Sequence, residues 1–338
     1  MKKIIALLLI AVMALTMVAC GNGGKEKSYT FTTGGSQGTY FGFTNTVAGI
    51  LTDKIDGMKF TAVTSGGSKA NIEALADGDN DLAIVQNDVM INAYNGKANF
   101  EGHAVTSFSV IGAVYPEVCQ IIASKDSGIN SVADMRGKRI SIGAAGSGVV
   151  TNATQILAKA GLTLDDITVQ NLDSGASASA LKEGKLDAFF FTGGVPTPAM
   201  VDLMTSNDVV VVSLSDAEVA ALKAESSFYV EVEMTHATYD DIPEGTVVKA
   251  VAVTATYIVT NDMPEDDVYA ITKALWDNQA QIAEAHNTGK SMNIANALKG
   301  MDNVPVNAGA RRYYQEALDK YNADNGTSLT FNAFYGLE

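Results

Sequence analysis

Four times along this chain a short apolar run breaks into a glycine- and serine-rich turn, then resumes with apolar residues at helical spacing. Tyr29-Thr30-Phe31-Thr32 enters Thr33-Gly34-Gly35-Ser36-Gln37-Gly38-Thr39-Tyr40 and continues through Val47, Ile50, Leu51 and Ile55. Phe60-Thr61-Ala62-Val63 enters Thr64-Ser65-Gly66-Gly67-Ser68 before Ile72 and Leu75, and Arg139-Ile140-Ser141-Ile142 enters Gly143-Ala144-Ala145-Gly146-Ser147-Gly148 before Ala153, Ile156 and Leu157. The fourth joins Ala188-Phe189-Phe190-Phe191 through Thr192-Gly193-Gly194-Val195-Pro196 to Met200, Val201 and Met204. The pattern predicts strand, tight turn and helix each time. Such a turn leaves the first helical N–H groups unpaired at the positive end of the dipole, where a small anion or polar ligand binds without any charged side chain. Four turns of one kind point to one shared ligand site.

Alternation of apolar runs with helix-spaced segments predicts an α/β fold with largely parallel sheets. The chain also echoes itself. Leu75-Ala76-Asp77-Gly78 with Asp81-Leu82-Ala83-Ile84 matches Leu181-Lys182-Glu183-Gly184 with Asp187-Ala188-Phe189-Phe190; Ser65-Gly66 answers Ser174-Gly175, and Gly35-Ser36 answers Gly146-Ser147. The offsets of 106, 109 and 111 residues drift only slightly, as two similar α/β halves would produce. Between the halves, Phe108 to Ala123 is too long for an ordinary strand and too short for a helical unit, so it is expected to cross from one half to the other. Val247 to Thr260 is the expected return crossing. A helix is predicted after Pro264, marked by Val268, Ile271, Leu275 and Ile282 with Trp276 on or beside its apolar face, and a last one around Tyr314, Ala317, Leu318 and Tyr321, ending at Asn325-Gly326.

The N-terminus reads as an export signal. Met1-Lys2-Lys3 precedes an apolar run from Ile4 to Val18, too short for a membrane span. Met17-Val18-Ala19-Cys20 resembles the lipobox of bacterial lipoproteins, which implies cleavage after residue 19 and a lipid on Cys20 anchoring the chain outside the cytoplasm. Residues 20–28 would be a flexible tether. Losing Lys2 and Lys3 takes the formal charge from −15 to −17, which argues against nucleic acid. Cys119 is then the lone cysteine of the folded part, so no intrachain disulfide forms, and its setting among Val118, Ile121 and Ile122 reads as a buried strand thiol.

Two features hint at chemistry. Gly34-Gly35-Ser36-Gln37-Gly38 fits the G-x-S-x-G nucleophile elbow, yet the only histidines are His103, His236 and His286, none placed as a hydrolase base, and the other three turns lack the pattern. No histidine has a partner at metal-ligand spacing, and Asp77-Gly78-Asp79-Asn80-Asp81 lacks the glutamate that completes a calcium loop. The expectation is therefore a non-enzyme without metal or cofactor. A hydrolase using Ser36 is the remote alternative.

The turns, together with Asp81-Leu82-Ala83-Ile84-Val85-Gln86-Asn87-Asp88-Val89 and Thr192-Gly193-Gly194-Val195-Pro196-Thr197-Pro198-Ala199, resemble the ordered motifs of the TAXI family of TRAP-transporter solute receptors. The resemblance spans nearly the whole mature chain. It implies a type II periplasmic-binding-protein fold: two α/β lobes joined by two crossing strands, lobe I from 29–115 plus 256–338 and lobe II from 116–255. It also implies capture of glutamate, glutamine or a related carboxylate by a monomer and hand-over to a TRAP permease driven by an ion gradient. A same-fold receptor for another organic acid, or a sensor subunit, is the alternative. Carried over residue by residue, contacts fall at Gly35, Ser36, Tyr40, Ser65, Gly67, Ser68, Ser147, Gly148 and Val149, with Gln86 and Asp88 toward a ligand amine or amide and Thr192 and Gly193 on the far wall. Val149 stands where the family commonly has Thr, which removes a hydroxyl contact. Tyr115 either lines the cleft or packs at the hinge. Arg136, Arg139, Arg311 and Arg312 all lie outside the glycine turns, so a carboxylate is expected to rest on helix N-termini and hydroxyls.

Overall fold

The computed structural model describes residues 26–337. The signal segment, Cys20 and the expected tether up to residue 25 lie outside the described residues; Lys27 and Ser28, expected at the end of the tether, instead open the first strand, paired in parallel with Met58 and Lys59. The first half runs β1 (Lys27–Thr32), α1 (Thr39–Lys54), β2 (Met58–Val63), α2 (Ser68–Ala76), β3 (Leu82–Gln86), α3 (Asn87–Tyr94) and then the long strand β4 (Phe108–Ser124). The second half follows as β5 (Arg139–Ser141), α4 (Gly148–Lys159), β6 (Thr168–Gln170), α5 (Ser174–Lys182), β7 (Ala188–Gly193), α6 (Pro198–Ser206), β8 (Val209–Val211), α7 (Asp216–Glu225) and β9 (Val230–Met234). The return strand β10 (Val248–Thr260) leads to α8 (Glu265–Asp277), α9 (Gln279–Ala285), α10 (Ala308–Asn325) and α11 (Phe331–Tyr335).

The sheet order β2-β1-β3-β10-β4-β7-β5-β6 explains the sequence echo. In each half the first strand lies between the second and third, all parallel, and a long antiparallel strand flanks the third: β10 beside β3, and β4 beside β7. β4 and β10 pair along most of their length, from Thr260 opposite Phe108 to Ala252 opposite Val118. This ladder carries the chain between the halves in both directions.

Each half buries both faces of its strands, as parallel strands flanked by helices require. In the first half, Phe31, Phe43, Leu51 and Tyr257 pack with Leu275, Trp276 and Tyr314 on one face, while Ile72, Val85, Met90 and Ile258 pack on the other. In the second, Ile140, Ile156, Leu157 and Val253 fill one face, and Leu181, Phe189, Leu203 and Ala252 the other. α8 and α10 thus return to the first half, where the Trp276 indole N–H donates to the Tyr314 hydroxyl at 2.9 Å, and that hydroxyl donates to the Ile111 carbonyl at 2.9 Å.

The C-terminal part differs from expectation in two respects. The helix after Pro264 does not run through Ile282: α8 ends at Asp277, where Asn278 leaves helical geometry, and Ile282 is buried on the separate α9. α10 does stop at Gly326, whose φ of 62° is the left-handed conformation glycine adopts at a helix end. It is not the last helix, because α11 follows, capped by Thr330 and holding Phe331 and Tyr335 in the same cluster. Five residues are too few for a helical period to show in sequence.

α8 and α10 touch backbone to backbone at Gly309. A Cβ there would lie 2.2 Å from the Glu265 carbonyl oxygen and 2.7 Å from the Tyr269 nitrogen. Alanine normally stabilises a helix interior by about 1 kcal/mol over glycine, whereas overpacking costs about 1–3 kcal/mol. Gly309→Ala is therefore expected to lower the urea midpoint of unfolding; an unchanged or raised midpoint would show that the helices separate freely.

Candidate functional site

Three of the four turns converge. Those following β1, β2 and β5 line one cleft between the two halves, and β7 with the start of α5 completes its wall. The helices that follow these three turns lack side-chain caps: α1 follows Gly38, α2 follows Gly67 and α4 follows Ser147, and none of these offers a side-chain acceptor to the next amides, whereas α5 is capped by Asp173, which accepts from the Ala176 amide. Ser215 on α7, Asn307 on α10 and Thr330 on α11 do cap their helices. The three uncapped helices therefore present donor groups and the positive end of their dipoles to an occupant. Part of this capacity joins the lobes, since the Lys69 and Ala70 amides donate to the Gly146 carbonyl at 3.0 and 3.1 Å.

Glycine makes that approach possible. A Cβ on Gly67 would sit 3.0 Å from Ser147 Cα, and Gly67 has φ of +104°, a conformation side chains rarely adopt. Gly66 and Gly146 face each other in the same way, with a Cβ on Gly66 falling 3.6 Å from Gly146 Cα.

Of the residues expected at the site, Gly35, Tyr40, Ser65, Gly67, Ser68, Gln86, Ser147, Gly148, Val149 and Thr192 line the cleft. Ser36, Asp88, Tyr115 and Gly193 are not part of that lining. Ser36 is exposed at its turn. Tyr115 is buried edge-on to Phe43, ring centroids 4.9 Å apart, with its hydroxyl unpartnered. Gly193 faces Thr39, whose Oγ1 would lie 3.0 Å from an added Cβ, so it admits a contact between lobes. Asp88, on α3, accepts a hydrogen bond from Asn152 Nδ2 of α4 at 3.0 Å, and Asn152 Oδ1 accepts in turn from the Thr192 hydroxyl at 2.9 Å.

Several serine hydroxyls are engaged in building the turns. Ser147 donates to the Ala144 carbonyl at 2.7 Å, Ser65 Oγ accepts from the Gly67 amide at 3.0 Å, and Ser68 Oγ accepts from the Gln86 amide at 3.0 Å.

Sequence reasoning missed Thr39, Glu117, Asp173, Ser174, Phe190 and Phe191, which also line the cleft. For Glu117 a signal existed: it is the one charged residue in the 17 residues of β4. Its carboxylate accepts from the Tyr40 hydroxyl at 2.8 Å, and burial holds its pKa well above the usual carboxylate range. Asp88 is likewise pushed up by burial, to about 6. Cys119 is buried in β4, as expected of a strand thiol, and burial raises its pKa, which keeps it protonated. Among the described residues, no lysine, arginine or histidine lines the cleft. Arg136, Arg139 and Arg312 pair with Asp166, Asp187 and Glu265 or Asp266 outside it.

Residues 31–317 match the model of the NMT1-like family. Among solved structures, a protein of Bordetella bronchiseptica RB50 aligns at 16% identity and TM-score 0.51 over 87% of this chain and 83% of that one. A Streptococcus mutans structure from work on glutathione import via GshT and the cystine ABC importer TcyBC aligns at 11% identity and TM-score 0.51, over 79% and 98%. The alkanesulfonate-binding protein SsuA from Xanthomonas axonopodis pv. citri, bound to MOPS, aligns at 14% identity and TM-score 0.46 over 91% and 96%. The likeness is one of fold, the two-lobed type II periplasmic-binding-protein arrangement.

The buried Asp88 makes a signed prediction. A rise from 3.8 in the unfolded chain to about 6 in the fold means that the folded state holds the proton more tightly. Its contribution is fully present below pH 3.8 and lost as pH rises through about 6, an effect of about 3 kcal/mol. Asp88→Asn should therefore raise the unfolding temperature at pH 8, with the gain vanishing near pH 4. A variant less stable than the parent at pH 8 would show that the ionised carboxylate is stabilised in place.

Proposed function

The chain belongs to the NMT1-like family, and from that premise we propose that it is an extracytoplasmic solute receptor that takes a glutamate- or glutamine-like solute into the cleft and delivers it to a TRAP-type secondary transporter. The observation that carries this reading is the cleft itself: uncapped helix N-termini from both halves meet around one space, linked by the contact of Lys69 and Ala70 with Gly146. A carboxylate seated there is held by backbone amides of α1 and α4, with Thr192, Gln86 and Tyr40 shaping the remainder of the site. Ligand bound to both walls favours the closed arrangement by differential affinity.

Supporting the division of the chain near residues 115/116 and 255/256, Tyr115 and Ala255 pack in the first half's core, while Val118, Cys119, Ala252 and Val253 pack in the second's. The TRAP assignment rests on the motif resemblance, and the lipid anchor on the Cys20 lipobox. The site needs no catalytic role: Ser36 is exposed, and His286 sits beside Gly42 and Phe43 in the first half.

A thermal-shift panel of amino acids and organic acids on the full chain in detergent tests the receptor assignment. Ligand at one hundred times Kd stabilises by about 2.7 kcal/mol, so L-glutamate or L-glutamine should raise the melting temperature by a few degrees. A panel with no shift at millimolar concentration would refute it. Reconstituted with its permease, uptake should stop when the ion gradient is collapsed and continue without ATP; ATP-dependent uptake would refute the TRAP assignment.

A further inference from the structure

Glu117 is out of keeping with a site built only to hold an anion. It lies on β4 where the chain passes between the lobes, is 1% exposed, and lines the cleft. Its orientation is fixed: one oxygen accepts from the Tyr40 hydroxyl at 2.8 Å, Tyr40 reaches Ser68 Oγ at 3.4 Å, and Ser68 Oγ accepts from the Gln86 amide. Two further polar atoms of cleft-wall residues, the Thr39 hydroxyl Oγ1 and the Gln86 amide oxygen Oε1, are shut from solvent without a hydrogen-bond partner. Thr39 is 5% and Gln86 2% exposed. A carboxylate, an unsatisfied amide oxygen, a hydroxyl that can accept and no basic side chain among the wall residues form a receptor for a donor-rich cation. A primary ammonium supplies three N–H donors and the missing charge.

We propose that Glu117 is the specificity-determining residue for a ligand ammonium group, so that the cleft selects zwitterionic amino acids over organic anions that lack the amine. This rests on the receptor reading above. The ammonium sits at Glu117 while the carboxylate occupies the uncapped helix N-termini, which separates the ligand's charges along the site's own polarity. An organic dianion would bring a second negative charge against Glu117, with Asp88 behind it and Asp173 on the same wall.

The pH dependence follows in sign. Glu117 is faced by Tyr40 from α1, Tyr115 and Cys119 from its own strand, and Asp88 from α3; the tyrosines and the thiol are held neutral by burial. Ammonium binding favours ionised Glu117, so binding drives a proton off the carboxyl, and affinity rises with pH. Asp88, titrating near 6, acts in the same direction.

The test is calorimetric titration of the full chain in detergent with L-glutamate, L-glutamine and their des-amino counterparts glutarate and glutaramate, at pH 5.5 and 8 and in buffers of different ionisation enthalpy. The amino acids should bind at least tenfold more tightly than the des-amino compounds, more tightly at pH 8 than at pH 5.5, and with proton release. Glu117→Gln still accepts from Tyr40 and should weaken amino-acid binding by about 10- to 100-fold, as loss of a charged hydrogen bond does, while abolishing most of the proton release. Equal binding of glutarate and glutamate, affinity that falls with rising pH, or unchanged affinity in Glu117→Gln would overturn this inference and leave the receptor reading standing. Absence of binding by all four compounds to the parent chain would remove both. The wild-type pH and buffer series needs no variant, so it decides the matter even if Glu117→Gln folds poorly.

Discussion

The ladder between β4 and β10 is the constraint on which everything else depends. Two antiparallel strands of 17 and 13 residues are the paired crossing between the halves, and their register shifts at Ala255/Thr256 and Tyr257/Ile258. Such irregularities bend a ladder and re-aim its side chains. They lie beside the point where the strands leave one core for the other, between Tyr115 and Val118 on β4 and between Ala255 and Val253 on β10. Glu117 falls within that interval. A residue at the changeover belongs to neither core, so its side chain is free to face the space between the lobes.

Across that space the lobes meet backbone to backbone, and this depends on residues without side chains. Gly66 opposite Gly146, Gly67 opposite Ser147, and Gly193 with Gly194 opposite Thr39 bring the walls as close as their main chains allow. Hydrogen bonds from Lys69 and Ala70 to Gly146 then span the gap. Asp88 and Asn152 add a buried polar link between α3 and α4. Closure is thus made of short polar contacts that have to be desolvated, a balance sensitive to whatever fills the cleft.

Much of this was legible from sequence because it is local. Apolar runs, glycine turns and helical spacing placed β1 to α2, β5 to α4 and β7 to α6, and the echo between halves reflects the shared strand order. What was not legible depends on direction and on distant neighbours. Ser36 and Gly35 are adjacent in one turn, yet Gly35 lines the cleft and Ser36 is exposed, because backbone dihedrals at the turn decide which one faces inward. Glu117 was hidden by its apolar strand, whose run of β residues signals core rather than site. Ser174 had a signal in the echo between the halves, as the counterpart of Ser65, whereas Asp173 enters the wall because β6 and α5 are carried there by the second half's topology.

The distribution of polar groups then decides what kind of recognition the cleft performs. Ser65, Ser68 and Ser147 hold the turns in shape through their own hydroxyls, so their direct contribution to a ligand is secondary to the amides they position. Arg136, Arg139 and Arg312 are held in ion pairs elsewhere and Arg311 lies over the Phe331 ring, so α1 and α4 supply the donors without a guanidinium. Helix termini carry only partial charge and are preorganised, which avoids the cost of burying a full guanidinium in the wall. A site whose anion-binding elements are partial dipoles and whose one buried wall carboxylate has no protein cation is complementary to a molecule that carries both charges itself.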